Sequence, residues 1–408
     1  MKILHFAHCF FPIYGGTTTR LYHLLADRIN EHYLYIPQAP SRYIPDNIGV
    51  LKEKEAFRNI KVRRCKLVED FKVKILVINT FRYITINSDR LVNFVKEEGI
   101  EIVHGHNPLV FATAAMKYAK RFDIPFVYEV HRFEADTHIV KRQYIPKVAY
   151  SSVRELFKLK EKKIFQSADA IITQTNAIEQ RVINVFDVDA DKITIIPLGV
   201  DEINFDPVNW HQKGKELRRE RKWADKIIFM YNGYLEYITG IKFFINAVQE
   251  LPDNIKREIK VVVLGRGPLQ KYVEDMSKNE SWLEYLGLVN YNDMPIYYSA
   301  CDVLAIPMLS TITGGNNTPT KLLEAMVMEK IVLGSDVGGI TEVVTNNKNG
   351  IIFKKENKDE LLKKISYIVE NIEKMDGIRE QARKDIIEKY RYERSRGLLQ
   401  NVYESVMK

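Results

Sequence analysis

Between residues 316 and 326 the chain reads Asn316-Asn317-Thr318-Pro319-Thr320-Lys321-Leu322-Leu323-Glu324-Ala325-Met326. A hydroxyl residue followed by proline is a helix-start signal. Thr318 suits the N-cap and Pro319 the first helical position, where a missing N–H costs nothing. Free backbone N–H groups at such an end favour phosphate. Lys321 and Glu324 stand three apart on one face, while Leu322, Leu323 and Met326 form the buried one. A cation in the first turn and a carboxylate one turn on can hold a diphosphate and a ribose diol together. The same residues also suit a plain solvated helix face. An apolar run from Asp302 to Met308 and a glycine- and asparagine-rich loop precede the segment, and ligands of open α/β sheets bind where strands end.

The elements that must carry this segment follow from periodicity. The first half repeats strand then helix, with strand-like runs at Lys2–Phe10, Tyr33–Pro37, Ile60–Val68, Ile100–His106, Pro125–His131, Ala168–Thr175 and Lys192–Val200. Helical patterns among them include Arg20–Asn30 and Leu109–Phe122. Many of the runs are continuously apolar, as in parallel sheets covered on both faces. Asp201–Lys226 breaks the rhythm with a charged run and reads as a linker. A second series follows at Ile227–Tyr234, Ile259–Gly265, Trp282–Val289, Asp302–Met308, Lys330–Ser335 and Gly350–Lys354, with helices such as Ile241–Leu251 and Pro268–Lys278 between. The last part reads as helices, Ile378–Tyr390 and Glu393–Met407. The expected organisation is an N-terminal domain over 1–204, a linker over 205–225, a second domain over 226–388, and a C-terminal helix over 389–408 packing back on the first domain. Ligand would bind in the cleft between two doubly wound sheets.

Composition narrows the class. A chain of 408 residues is too long for one ordinary core, which favours two domains of roughly 200 residues. No apolar run reaches the ~18 residues of a membrane span, and the first residues pass directly into a strand pattern without a targeting segment. Cys9, Cys65 and Cys301 are scattered and odd in number, which argues against a disulfide framework or a paired-cysteine metal site and for a reducing cytoplasm. The net charge of +8 lies entirely in the first 200 residues, which hold 30 Lys and Arg against 22 Asp and Glu, while the rest hold 31 of each. Arg58–Lys74 and Lys141–Lys163 are the richest stretches, interleaved with apolar residues. Such a face suits an anionic partner, a membrane surface or phosphorylated lipid, or a merely solvated surface. No nucleic-acid motif accompanies it.

Taken in order, several pieces resemble the family 4 retaining glycosyltransferases, which have the GT-B fold of two Rossmann-like doubly wound domains facing across a cleft. Phe11-Pro12-Ile13-Tyr14-Gly15-Gly16 is similar to the N-terminal glycine loop of that family. His104-Gly105-His106 and Tyr128-Glu129-Val130-His131 resemble its acceptor-side strand ends. Ile196-Pro197-Leu198-Gly199-Val200-Asp201, Gly233–Gly240, Leu264-Gly265-Arg266-Gly267-Pro268, Ala300–Val303, Glu324-Ala325-Met326 and Val337–Glu342 follow in the family's order. The resemblance implies transfer of a hexose from a UDP- or GDP-linked donor to a glycan or lipid-linked acceptor in cell-surface polysaccharide or glycoconjugate synthesis. It implies no metal and no other cofactor. On it, Glu324 would hold the ribose, and Lys321 with the backbone of Thr320 and Gly16 the diphosphate. Asn316, Asn317, Thr318 and His131 would face the sugar, with Gly15, Gly233 and Arg266 in the donor pocket. The protein would be cytoplasmic and possibly peripheral on the inner face of the plasma membrane.

Three positions depart from the family. Its paired glutamates, separated by seven residues, here become Asn316 and Glu324. Tyr234 and Thr239 stand where Arg and Lys usually meet the diphosphate. Lys321 replaces an apolar residue and supplies a cation in their stead. The other reading these departures allow is a catalytically silent GT-B scaffold binding a partner protein or glycan. Elsewhere, Gly265-x-Gly267 lacks the third glycine of a dinucleotide fingerprint. Asp187-x-Asp189-x-Asp191 reads as a solvated turn, since no further ligand or EF-hand glycine follows.

Overall fold

The computed structural model describes residues 1–11, 16–27, 29–37, 52–65, 88–135, 150–309 and 317–408. Gly15 and Asn316 lie outside the described residues, as do 66–74 and 141–149 of the two basic stretches. The chain divides into two units, Met1–Pro197 with Glu393–Lys408, and Leu198–Tyr392.

The first unit carries strands β1 (Lys2–Phe6), β2 (Glu31–Pro37), β3 (Lys54–Phe57), β4 (Ile60–Cys65), β5 (Ile102–His106), β6 (Phe126–Glu129), β7 (Ala170–Thr173) and β8 (Ile193–Ile195). They form one sheet in the order β3-β4-β2-β1-β5-β6-β7-β8. All pairings are parallel except the edge hairpin of β3 with β4. Alternation along β1 sends Leu4 and Phe6 to one core layer, closed by the helix Leu109–Phe122, and Ile3 and Ala7 to the other. The second layer is closed by Leu21, Leu24 and Leu25 of the helix Gly16–Leu25 and by Leu399, Val402 and Tyr403 near the C-terminus. His5 shares that second face with Ile3 and Ala7 by the same alternation.

Two expectations shift here. The helix read as Arg20–Asn30 runs over Gly16–Leu25, because Asp27 Oδ1 accepts the N–H groups of Ile29 and Asn30 at 2.9 and 2.8 Å and turns the chain out. The strand read as Ala168–Thr175 stops at Thr173, since Thr175 caps the next helix by accepting from Ile178 N at 3.2 Å.

The second unit holds β9 (Ile227–Asn232), β10 (Ile259–Leu264), β11 (Leu283–Gly287), β12 (Val303–Ile306), β13 (Ile331–Ser335) and β14 (Ile351–Phe353), all parallel, in the order β11-β10-β9-β12-β13-β14. The order reverses at β9, between β10 and β12. That is the switch point at which open α/β sheets leave a crevice.

The segment read as a linker, 205–225, is an integral part of this unit. Asp206 caps the helix Pro207–Glu220 by accepting from Val208 N at 3.1 Å, with Pro207 in its first turn. Gly214 is the buried residue of that helix, and a Cβ there would stand 2.5 Å from Ser299 Oγ. Arg218 pairs with Asp302 and donates to Ala300 O at 2.9 Å, while Trp223 is buried just beyond. A helix that docks through a glycine leaves no apolar stripe to read, and its charged outer face looks like a linker.

Candidate functional site

β9 ends at Asn232, and Gly233 follows with φ +138°, a backbone that glycine adopts without strain. A Cβ at Gly233 would meet one neighbour, Lys321 Nζ, at 3.1 Å. A Cβ at Gly265, whose φ is +128°, would stand 1.8 Å from Gly233 O, so this turn serves close backbone approach rather than a dinucleotide fingerprint. Lys321 comes from the helix Thr320–Val327 after β12. Its ammonium donates to Asn232 O at 2.8 Å and lies 4.6 Å from the centroid of the Tyr231 ring. Burial pushes the Lys321 pKa down to about 8, against the opposing pull of Glu324.

Glu324, one turn on, is buried. Its Oε2 accepts the Tyr298 hydroxyl at 2.8 Å and its Oε1 the Tyr291 hydroxyl at 3.1 Å. Tyr298 in turn accepts from Asn232 Nδ2 at 3.0 Å, which ties the carboxylate back to the strand end. Burial raises the Glu324 pKa, while the two hydroxyls and Lys321 hold it back. A carboxylate oxygen offers about two acceptor directions, so each keeps one for a further donor. The arrangement is a fixed carboxylate beside a desolvated cation at the C-terminal edge of a parallel sheet. Tyr291, Tyr298 and Asn232 went unnoticed in the sequence because each sits within an unexceptional stretch of strand or helix.

The expected helix start moves by one position. Pro319 is the N-cap, in an extended conformation (φ −70°, ψ 132°), and Thr318 lies buried outside the helix without a capping role. Gly339 explains the path: a Cβ there would come within 2.0 Å of Asn317 O, so the 317–318 backbone is laid against the turn at 338–339. Lys321 and Glu324 do not form a solvated face either, since Leu322–Val327 are all buried. Arg266 has an exposed side chain, and its carbonyl accepts from Leu235 N at 2.9 Å.

In the first unit, Gly16 is exposed at the start of its helix. One turn on, Arg20 is fully buried; its Nε donates to Glu129 Oε1 at 2.6 Å, and its two other nitrogens donate to Pro197 O and Ile196 O at 2.9 and 3.0 Å. Burial raises the Glu129 pKa, but Arg20 and then His131 outweigh it and hold the carboxyl well below its usual range. His131, two residues past β6, has Nδ1 3.9 Å from Glu129 Oε1 and bonded to Gln174 Nε2. Burial lowers its pKa to about 3, with Glu129 pulling the other way, so the ring is neutral. The nitrogens of His5, His104 and His106 lie within 4.8 Å of one another. His5 and His106 are nearly coplanar (19°) with nitrogens facing at 3.1 Å, a hydrogen-bond arrangement rather than a set converging on one ion.

Comparison with known proteins decides what this frame belongs to. Residues 14–202 match the family model for Glycosyltransferase Family 4, and residues 213–385 match that for Glycosyl transferases group 1. The chain is a family 4 glycosyltransferase. An uncharacterized glycosyltransferase of Methanocaldococcus jannaschii is 25% identical over 312 residues, covering 75% of this chain and 76% of that one. Among solved structures, Anabaena HepE in complex with UDP aligns with a TM-score of 0.73 at 16% identity, over 99% of this chain and 100% of that one. Sucrose-phosphate synthase from Thermosynechococcus elongatus aligns at 0.78 and 16% identity, over 99% and 98%. The two parallel-sheet units are thus the Rossmann-like domains of the GT-B fold.

Within this glycosyltransferase the unusual residues of the β9 loop have distinct places. Tyr234 is 54% exposed, whereas the Thr239 hydroxyl donates to Glu236 O at 2.7 Å and pins the loop. Lys321 is the cation that reaches Gly233 from beneath. Gly233, Lys321 and Glu324 are brought together in the second unit. Gly16 and His131 belong to the first, where Arg20 and Glu129 link helix start to strand end. Among the described residues no helix is long and apolar enough to cross a membrane.

Proposed function

We propose that this glycosyltransferase transfers a hexose, with retention at the anomeric carbon, from a UDP- or GDP-linked donor to a glycan or lipid-linked acceptor in cell-surface polysaccharide or glycoconjugate synthesis. The observation that carries the donor assignment is the Glu324 carboxylate, fixed by Tyr291 and Tyr298 beside the Lys321 ammonium at Gly233. Glu324 takes the ribose diol, and Lys321 takes the diphosphate with the Thr320 backbone. The desolvated ammonium supplies charge to the leaving phosphate where the family's Arg and Lys are replaced by Tyr234 and Thr239, without a metal. The roles of Gly15, Gly16, Asn316, Asn317, Thr318, Arg266 and His131 rest on the family resemblance. No side chain is assigned as a nucleophile: the leaving phosphate deprotonates the acceptor, which attacks from the departing face. Positioning and electrostatic stabilisation are then the enzyme's contribution.

The membrane part of the reading rests on the helix Tyr150–Ser167. It exposes Leu156 (48%) and Leu159 (66%), and Lys163 is exposed one turn further on. An apolar pair flanked by lysines suits the surface of an anionic leaflet. The described part of the other basic stretch is less suited. Lys61 pairs with Glu31, buried Arg64 pairs with Glu55, and Arg63 lies over the Phe94 ring.

The test is calorimetry with UDP and GDP, paired with transfer from a panel of nucleotide sugars. Glu324→Ala should weaken nucleotide binding at least tenfold, and transfer should require Lys321. Unchanged affinity in Glu324→Ala would remove the ribose assignment. Nucleotide binding without any transfer would favour a silent scaffold.

A further inference from the structure

A row of histidines crosses the buried layer between the first sheet and the helix Gly16–Leu25. Asp27 Oδ2 stands 2.9 Å from His32 Nε2, His32 Nδ1 is 3.0 Å from His5 Nε2, and His5 Nδ1 is 3.1 Å from His106 Nε2. His106 Nδ1 closes the row 3.2 Å from Glu129 Oε2, and neither of those two atoms has another hydrogen-bond partner. The three rings are wholly buried, as is Glu129. The strands place them: His5 is next to His104 across β1 and β5, and His106 is next to Glu129 across β5 and β6.

Counting protons along this row gives an unexpected result. There are four links, and each needs one hydrogen between its two heavy atoms. Both ends are carboxylates, which only accept when ionised. Three neutral imidazoles bring three N–H groups, so whichever tautomers they adopt, one link leaves two acceptors face to face. A buried acceptor pair without its proton is costly. We infer that the row His32–His5–His106 holds one proton more than three neutral imidazoles, and that this proton shifts between the Asp27 end and the Glu129 end.

The groups around the row decide where the proton sits. It is not on the carboxylates. Burial alone would raise both, but Arg20 and His131 keep Glu129 ionised, and the bonds from His32 and Asn30 bring Asp27 down to about 2. The middle ring is disfavoured, since burial and then the neighbouring His104, His32 and His106 lower the His5 pKa. The charge therefore belongs to an outer ring. Glu129 already faces the Arg20 cation, whereas Asp27 faces His32 and the amides of Ile29 and Asn30. His32 is the resting position. From the C-terminal helix, Tyr403 reaches His104 Nδ1 at 2.8 Å and not the row itself.

Transfer to the other end needs no ring rotation. The hydrogen on His32 Nδ1 passes to His5 Nε2 as the hydrogen on His5 Nδ1 passes to His106 Nε2. Two N–H bonds break and two form, and the positive charge arrives beside Glu129 and His131. The role of that charge next to His131 rests on the proposed function. The proton count does not depend on it.

Electrophoretic charge and NMR together test the count. In the protein labelled with 15N-histidine, one of the buried rings should show both nitrogens protonated at pH 8, where an ordinary imidazole of pKa about 6.5 is neutral. Asp27→Asn replaces an acceptor with an amide donor toward His32 Nε2, so three links remain for three neutral rings and the imidazolium signature should vanish. The variant then loses one negative charge and one proton together. Its net charge at pH 8 should equal that of the wild type by capillary electrophoresis. A shift of one unit toward positive, or one bare nitrogen on each buried ring of the wild type, would overturn the inference. If Asp27→Asn does not fold, the wild-type spectrum alone decides. Neither measurement uses a donor or acceptor, so a failure of the glycosyl-transfer reading leaves the result intact.

Discussion

Lys321 is the residue whose chemistry the structure constrains most, and pH is the perturbation that reads it. Its ammonium is desolvated and its pKa lies at about 8, with Glu324 the opposing influence. If a diphosphate becomes its partner, the bound ammonium has a strong reason to stay charged, and its pKa returns toward or above the ordinary value of about 10.4. Nucleotide binding then takes up a proton whenever the free enzyme has lost it. The sign follows: affinity is full well below pH 8 and falls as pH rises through that value. For a free-state pKa of about 8, the protonated fraction falls from about 0.9 at pH 7 to about 0.24 at pH 8.5, so affinity should drop about fourfold, or roughly 0.8 kcal/mol. The terminal phosphate, with a pKa near 6, is already ionised across that window and contributes little to the slope.

Isothermal titration of UDP and GDP in buffers of differing ionisation enthalpy would give both affinity and proton uptake. Uptake should rise from about 0.1 to about 0.75 proton per nucleotide between pH 7 and 8.5. Lys321→Arg keeps a permanent charge and should flatten the profile, even if its altered geometry changes the absolute affinity. Lys321→Met should flatten it at a uniformly lower affinity. A wild-type profile that is already flat, with no proton uptake, would refute the placement of Lys321 on the diphosphate.

Three other outcomes are expected. Arg20→Met leaves Glu129 buried and without its guanidinium partner, and breaking such a pair costs about 3–5 kcal/mol; thermal unfolding should show it, with much of the loss recovered in Arg20→Met/Glu129→Leu if the cost is the stranded charge. Because the Glu129 pKa is held low in the folded protein, its contribution is present above the unfolded carboxyl pKa of about 4.3 and is lost as pH falls through the folded value, so the wild-type and Arg20→Met proteins should converge in stability under acid. Gly339→Ala would bring a Cβ within 2.0 Å of Asn317 O, and should lower transfer more than tenfold with little change in circular dichroism, because the strain falls on the loop ahead of Thr320. Leu156→Ser/Leu159→Ser should reduce co-sedimentation with phosphatidylglycerol vesicles at low salt, and wild-type capture should fade as salt rises; wild-type protein that stays in the supernatant at low salt would make that helix face ordinary solvated surface.

What the sequence discloses and what it hides divide along a physical line. Features carried by period and order were legible: parallel strands as continuous apolar runs, the reversal at β9, and Lys321 and Glu324 one turn apart after a strand. Features carried by a single close approach were not. Gly214 docks a helix through the absence of a side chain, so Pro207–Glu220 passed for a linker. Thr318 looked like a cap because Thr-Pro usually is one, but Gly339 holds the preceding backbone in a different path. Buried polar partners were equally silent, since Arg20, Tyr291 and Tyr298 acquire meaning only from residues far along the chain. The histidines show the limit most clearly. His104 and His106 stood out as a strand-end pair, whereas His5 and His32 sat unnoticed in apolar strands. Period-two alternation puts all four on one face, and parallel register then brings His5, His32 and His106 into a row. A row of such residues between two carboxylates has a definite proton count, which no local window of sequence contains. The count depends on register, because a slip of one residue in β1 would turn His5 into the opposite layer and break the row at its centre.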